Sequence, residues 1–193
     1  MSSNSSSSAS RRVPPAFLAF AGMMTALVFV SNYLSIPTPF SRLHVANAVC
    51  MLAGMLFDGG RGGIIAGLGS ALFDLTFPAY AAEAWITFLN KGLMALACGI
   101  IVNDKDNRLS RHTVALIGAV TGAVLYIILY LSKSYITLRW VAPVPTDTIP
   151  AALAGKLGAS ALNGLFAVIA APLLYAALRP ALERAGIYQY LRG

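Results

Sequence analysis

Charge is the scarcest commodity in this chain. Of 193 residues only 11% are charged and only seven are acidic, where a soluble domain carries about a quarter charged residues. The chain is short enough for one domain, yet 58% of it is hydrophobic and its mean hydropathy is +0.71. Its apolar runs are too many and too long for one water-soluble core. Two cysteines, Cys50 and Cys98, both lie in apolar runs, which excludes a disulfide framework and reads as small buried residues. His44 and His112 have no ligand spacing around them, so no metal site is expected. No GxxxxGKS/T run is present, so the chain does not hydrolyse ATP by itself. There is no Ser/His/Asp set and no HExxH, and no enzyme activity or cofactor is expected.

The charge that is present is basic, a net +7. The Lys and Arg residues sit mainly in the gaps between apolar runs. That is the positive-inside pattern of a membrane protein, not a basic face with interleaved aromatics, so nucleic acid is not the partner. Residues 1–12 read as a disordered Ser/Asn-rich tail. Residues 13–179 read as an all-α, six-transmembrane-helix bundle, and 180–193 as a basic C-terminal tail. The first helix, from about Pro15 to Leu34, is about 20 residues, enough for a hydrocarbon core of about 30 Å. Pro37 and Pro39 break the chain into a loop over 35–43. The second helix, His44–Phe57, is short for a span. Asp58-Gly-Gly-Arg-Gly-Gly is expected as a tight turn, followed by helices over Gly63–Phe77, Ala82–Val102, Thr113–Leu131 and Ala151–Leu178. A polar loop (103–112) and a long loop (132–150) separate the last three.

Six helices put both termini on one side. That side carries Arg11, Arg12, Arg61, Lys105, Arg108, Arg111, Arg179, Arg184 and Arg192; the other carries Arg42, Lys133 and Arg139. The bias places both termini in the cytoplasm of a cell-membrane protein.

Isolated polar residues in apolar helices need a reason. Asp74 lies near the outer end of the third helix and Lys91 roughly 13 Å down the fourth. Either the two form an ion pair that locks two helices, or they face a cavity and hold a ligand. Tyr126, Tyr130 and Lys133 share a face of the fifth helix, and Lys156, Ser160 and Asn163 share one of the sixth. Trp85, Tyr80, Tyr135 and Trp140 fall at the outer level, as an aromatic belt or as walls of a pocket for a flat polar ring. Gly22-x-x-x-Ala26 in the first helix allows close approach of another helix, within the protein or from a partner. Gly118-x-x-x-Gly122 in the fifth is read as internal packing.

In order along the chain, three of these features resemble the S components of energy-coupling factor (ECF) transporters, nearest to the riboflavin-type branch. They are Gly22 with Ala26, the run MLAGMLFDGGRGGIIAGLGSALFDL, and the run WITFLNKGLMALACGII with its Lys-Gly pair. The resemblance covers about residues 15–178. It implies a six-helix subunit that binds a vitamin or precursor from outside and works with a separate transmembrane coupling subunit and two ATPase subunits. It implies docking on the coupling subunit through Gly22 and Ala26, and a lid formed by loop 35–43 with Pro37, Phe40 and Arg42. It also implies a pocket from the outer parts of the last three helices and the long outer loop, which by position points to Trp85, Asn90, Lys91, Tyr130, Lys133, Tyr135 and Asn163. The ligand stays open among riboflavin, pyridoxine, a thiamine pyrimidine precursor, pantothenate and folate. Two other readings compete: a stand-alone secondary carrier, which would favour inverted repeats, and an intramembrane enzyme.

Overall fold

The computed structural model describes residues 14–37, 42–104 and 108–192. The expected N-terminal tail lies outside them. Among the described residues the elements are α1 (Pro15–Tyr33), β1 (Ser35–Pro37), β2 (Arg42–His44), α2 (Ala46–Phe57), α3 (Gly59–Leu75), α4 (Pro78–Ala81), α5 (Ala84–Val102), α6 (Arg111–Ile136), α7 (Ile149–Arg184) and α8 (Tyr188–Arg192). A π-helical turn, Thr137–Val141, extends α6. Four helical segments are long and apolar enough to cross a bilayer by length and composition: α1, α5, α6 with its π turn, and α7. The strands form one short antiparallel ladder, pairing Ser35 with His44 and Pro37 with Arg42.

α2 is the axis of the bundle. All of its residues but Val49 are buried, Met51, Leu52 and Met55 among them. It is packed by α3, α5 and α7, and less closely by α1. Twelve residues rise about 18 Å, and α2 needs no lipid-facing stripe because other helices surround it. α1 is the opposite case: only Met24, Val28, Ser31 and Asn32 of it are buried.

The helices share two ends. At one, Phe17 of α1 packs edge-on against Phe57 with centroids 6.1 Å apart, and the Arg61 guanidinium lies 4.8 Å from the Phe17 ring. At the other, Tyr33 of α1 hydrogen-bonds Thr76 just past α3 at 3.2 Å. So β2 and α2 together descend beside α1, and α3 returns. The first end also holds Arg111 and Arg179; the second holds His44, Glu83, Lys133 and Lys156.

Three expectations are corrected. The Asp58–Gly63 stretch is not a six-residue turn. Asp58 alone breaks the chain, with φ 87°, and its carboxylate caps α3 by accepting from the Arg61 N–H at 2.8 Å. A non-glycine residue there is strained, and the cap is the compensation. The glycines after it begin α3 and let its backbone press on α2: a Cβ on Gly62 would stand 2.5 Å from the Ala53 carbonyl oxygen. Second, the loop expected over 132–150 is mostly helix; α6 and its π turn run to Val141, where Pro143 and Pro145 end the helix. Third, the last helix runs past its expected end at Leu178. α7 passes through Pro172 and Pro180 to Arg184, and Leu191 of α8 is buried against the core.

Candidate functional site

The end that holds His44 carries the polar groups that the bundle leaves least satisfied. Lys91 sits seven residues into α5, about 10 Å below its start, and is 4% exposed. Its ammonium donates to Asn47 Oδ1 on α2 and lies 4.8 Å from the centroid of the Tyr126 ring on α6. Lysine is only a donor, so this contact fixes which amide atom of Asn47 faces it. Asn47 is 1% exposed and its Nδ2 has no hydrogen-bond partner among the described residues. An unsatisfied amide N–H costs about 1–3 kcal/mol, and a buried ammonium without a counter-charge costs on the order of several kcal/mol. No other place among the described residues concentrates such penalties.

Around this pair the tyrosines and lysines alternate. Tyr126 and Tyr130 stack one turn apart on α6, with centroids 5.9 Å apart and planes 11° from parallel. Lys156 of α7 lies 5.6 Å from the Tyr130 ring. Asn163, two turns further along α7, is buried and accepts from the His44 backbone N–H at 2.9 Å, which ties β2 to α7. Ser160 is buried on the same face and donates to the Leu157 carbonyl at 3.0 Å.

The residues singled out from sequence divide accordingly. Lys91, Tyr130 and Asn163 come together here. Asp74 does not pair with Lys91: among the described residues no carboxylate forms an ion pair with that lysine. Asp74 is half-buried near the outer end of α3. Lys133 is engaged by Glu83, at the N-terminus of α5. Asn90 is half-buried beside Lys91 in sequence, on a neighbouring face of α5. Trp85 is 65% exposed, on the outside of the bundle. Tyr135 is exposed and packs edge-on against Trp140 at 5.8 Å. All three aromatics are exposed on the outside of the bundle. Phe40 lies outside the described residues. Arg42 is described only through its backbone, paired with Pro37.

Sequence reasoning missed Asn47. Its signal was available: it is the one amide in the apolar run ANAVCMLAGMLF, and an amide at that depth asks for a partner. Gly22 and Ala26 are exposed on α1, and a Cβ at Gly22 would meet nothing within 4 Å. Among the described residues no other helix occupies the space in front of Gly22.

The opposite end differs. A cleft of about 140 Å³ there is lined by Arg111, His112, Tyr175 and Arg179, among others, well below the about 300 Å³ of small-ligand pockets. Its charges answer one another: Arg179 donates to Glu183 at 2.8 Å and to the Tyr175 hydroxyl at 2.6 Å, and Arg111 lies 3.7 Å from Glu183.

A family model described as the ECF-type riboflavin transporter, S component, matches residues 16–180. Among solved structures, one described as "Structure and mechanism of the S component of a bacterial ECF transporter" is similar, with a TM-score of 0.68 and 20% identity. The match covers 86% of this chain and 96% of that one, and at that identity it speaks for the fold. Curated protein sequences gave no match. The family match runs from the second residue of α1 nearly to the end of α7, and on it the chain belongs to the S-component family of ECF-type riboflavin transporters, membrane subunits of importers and not enzymes.

Proposed function

We propose that this chain captures a small water-soluble vitamin or precursor from outside the cell and delivers it inward with a separate coupling subunit and two ATPase subunits. The observation that carries the reading is the Lys91–Asn47 pair with the Tyr126–Tyr130 stack, buried polar chemistry at one end of an otherwise apolar bundle. Buried donors without partners are functional by default in a membrane protein. The family description makes riboflavin the first candidate.

In this reading six helices cross the cell membrane, α2 and α3 included: α2 with β2, and α3, connect the two ends that α1 joins. Both termini are cytoplasmic. Arg61, Arg108, Arg111, Arg179 and Arg184 gather at the end opposite the site, which the positive-inside rule assigns to the cytoplasm. The β1–β2 ladder ties Ser35–Pro37 to Arg42–His44, and the His44 backbone is bonded to Asn163 of the site; in this reading the loop that joins the two strands is the lid. Gly22 and Ala26, exposed and unobstructed, form the face that meets the coupling subunit. The bundle has no motor of its own, so ATP is hydrolysed elsewhere and the bundle is reoriented by its partner.

Native mass spectrometry of the gently purified protein tests this. A bound vitamin-sized mass is expected. If instead the purified chain alone moves a solute down its gradient at a carrier's rate, the subunit reading fails and a stand-alone carrier replaces it.

A further inference from the structure

Building on that reading, we infer that Lys91 and Asn47 recognise two adjacent hydrogen-bond acceptors on the ligand, such as a carboxylate or the ring-nitrogen and carbonyl edge of a flavin. Lys91 spends one N–H on Asn47 Oδ1, and its face toward α6 lies on the Tyr126 ring. Its other donors, together with Asn47 Nδ2, make a donor-only patch from two helices. No carboxylate among the described residues forms an ion pair with it; Asp74 acts on it only from beyond ion-pair distance. Every group in the patch asks for an acceptor, and none offers one. An edge that alternates donor and acceptor would leave one of its N–H groups facing another N–H, and is selected against.

The stacked tyrosines add the second element. Their rings are held 11° from parallel, and a flat ligand lying along them brings its edge toward Lys91. Lys156, over Tyr130, is the second cation beside the same stack. Riboflavin meets the requirement through N1 and O2, which stand side by side as acceptors; pantothenate meets it through its carboxylate.

Two substitutions make the inference testable with opposite signs. Lys91→Met removes the buried charge. Affinity should fall at least about tenfold, while the thermal midpoint of the ligand-free protein rises, because an uncompensated ammonium is gone. Asn47→Asp keeps the shape but gives Lys91 a carboxylate and replaces the donor Nδ2 by an acceptor oxygen. Binding should fall further than in Lys91→Met, again without loss of ligand-free stability.

Titration calorimetry with riboflavin, 1-deazariboflavin (N1 replaced by CH) and pantothenate separates the sources. For a flavin edge, riboflavin binds native protein at least about tenfold more tightly than the deaza compound, and the difference vanishes in Lys91→Met. For a carboxylate, pantothenate binds, riboflavin does not, and Lys91→Met loses it. A ligand that binds with affinity within twofold in both variants overturns this inference and leaves the subunit reading standing. If no probe binds native protein, the acceptor-pair inference falls, and the mass measurement decides the broader reading by itself.

Discussion

α1 and α6 carry the same spacing of small residues and use it in opposite directions. Gly22 and Ala26 of α1 look outward, with nothing within 4 Å of a Cβ at Gly22. Gly118 and Gly122 of α6 look inward, where a Cβ would stand 2.9 Å from the Cys98 and Met94 carbonyl oxygens of α5. In a bilayer the lipid tails are as apolar as leucine, so hydrophobicity does not tell the two faces apart. The lesson is that a small-x-x-x-small pattern marks a place where a helix can approach, and only the fold says whether the helix is already there. Four substitutions break or sharpen this comparison, each read as thermal unfolding in detergent beside ligand binding.

The largest effect belongs to an inward contact made wholly against backbone. Gly62→Leu would place a side chain against the backbone of α2, with Ala53 O at 2.5 Å and Gly54 N at 2.6 Å. Neither can step aside as a flexible side chain would. The cost should exceed the about 1–3 kcal/mol of ordinary overpacking, and size-exclusion chromatography should show little folded protein. A native elution profile would mean that the α2–α3 contact is looser than described.

Gly122→Leu comes next. The Met94 carbonyl is fixed, but the other neighbours, Cys98 Cβ at 3.3 Å and Met51 Cε at 3.6 Å, include a methionine end that can give. A loss of about 1–3 kcal/mol is expected, with the protein still folded at low temperature. An unchanged unfolding midpoint would move this stripe into the same class as that of α1.

Third is the contact between α5 and α6 that uses charge instead of small residues. Glu83→Gln removes the partner of Lys133. Both side chains are partly exposed, so the loss should be no more than about 1 kcal/mol. A larger drop, or a loss of ligand affinity, would return Lys133 to the list of groups that the ligand needs.

How much of this was readable beforehand follows from the same physics. Helix existence was legible, because proline pairs and polar runs punctuate long apolar stretches. Helix ends were not. Ser132, Lys133 and Tyr135 read as loop by polarity, yet a helix that leaves the membrane can carry polar residues, and α6 continues until prolines stop it. Pro180 read as lying past the end of the last helix, yet helices in membranes tolerate proline when neighbours and side chains re-satisfy the freed backbone groups. The site was half legible. Lys91 announced itself as a charge in an apolar run, but its partner proved to be Asn47, 44 residues earlier in the chain, where polarity and charge pointed to Asp74. Trp85 and Tyr135 had the right depth, and depth along a helix does not fix which way a side chain faces.

The smallest effect on stability is predicted for the outward stripe, and there the comparison is decided. Leucines at both Gly22 and Ala26 enter open space beside Met23, Leu27 and Val30, all exposed already. Surface changes of this kind stay within about 0.5 kcal/mol, and glycine-to-leucine in a helix is locally favourable. The purified double variant should therefore unfold as native protein does and bind ligand with native affinity. In cells that supply the coupling and ATPase subunits, uptake should nonetheless be abolished, because two bulky side chains hold a partner helix away. Loss of binding along with uptake would mean that the stripe serves the bundle's own packing. Full uptake would mean that the coupling subunit docks on another face, and the likeness between the two stripes would then carry no functional contrast.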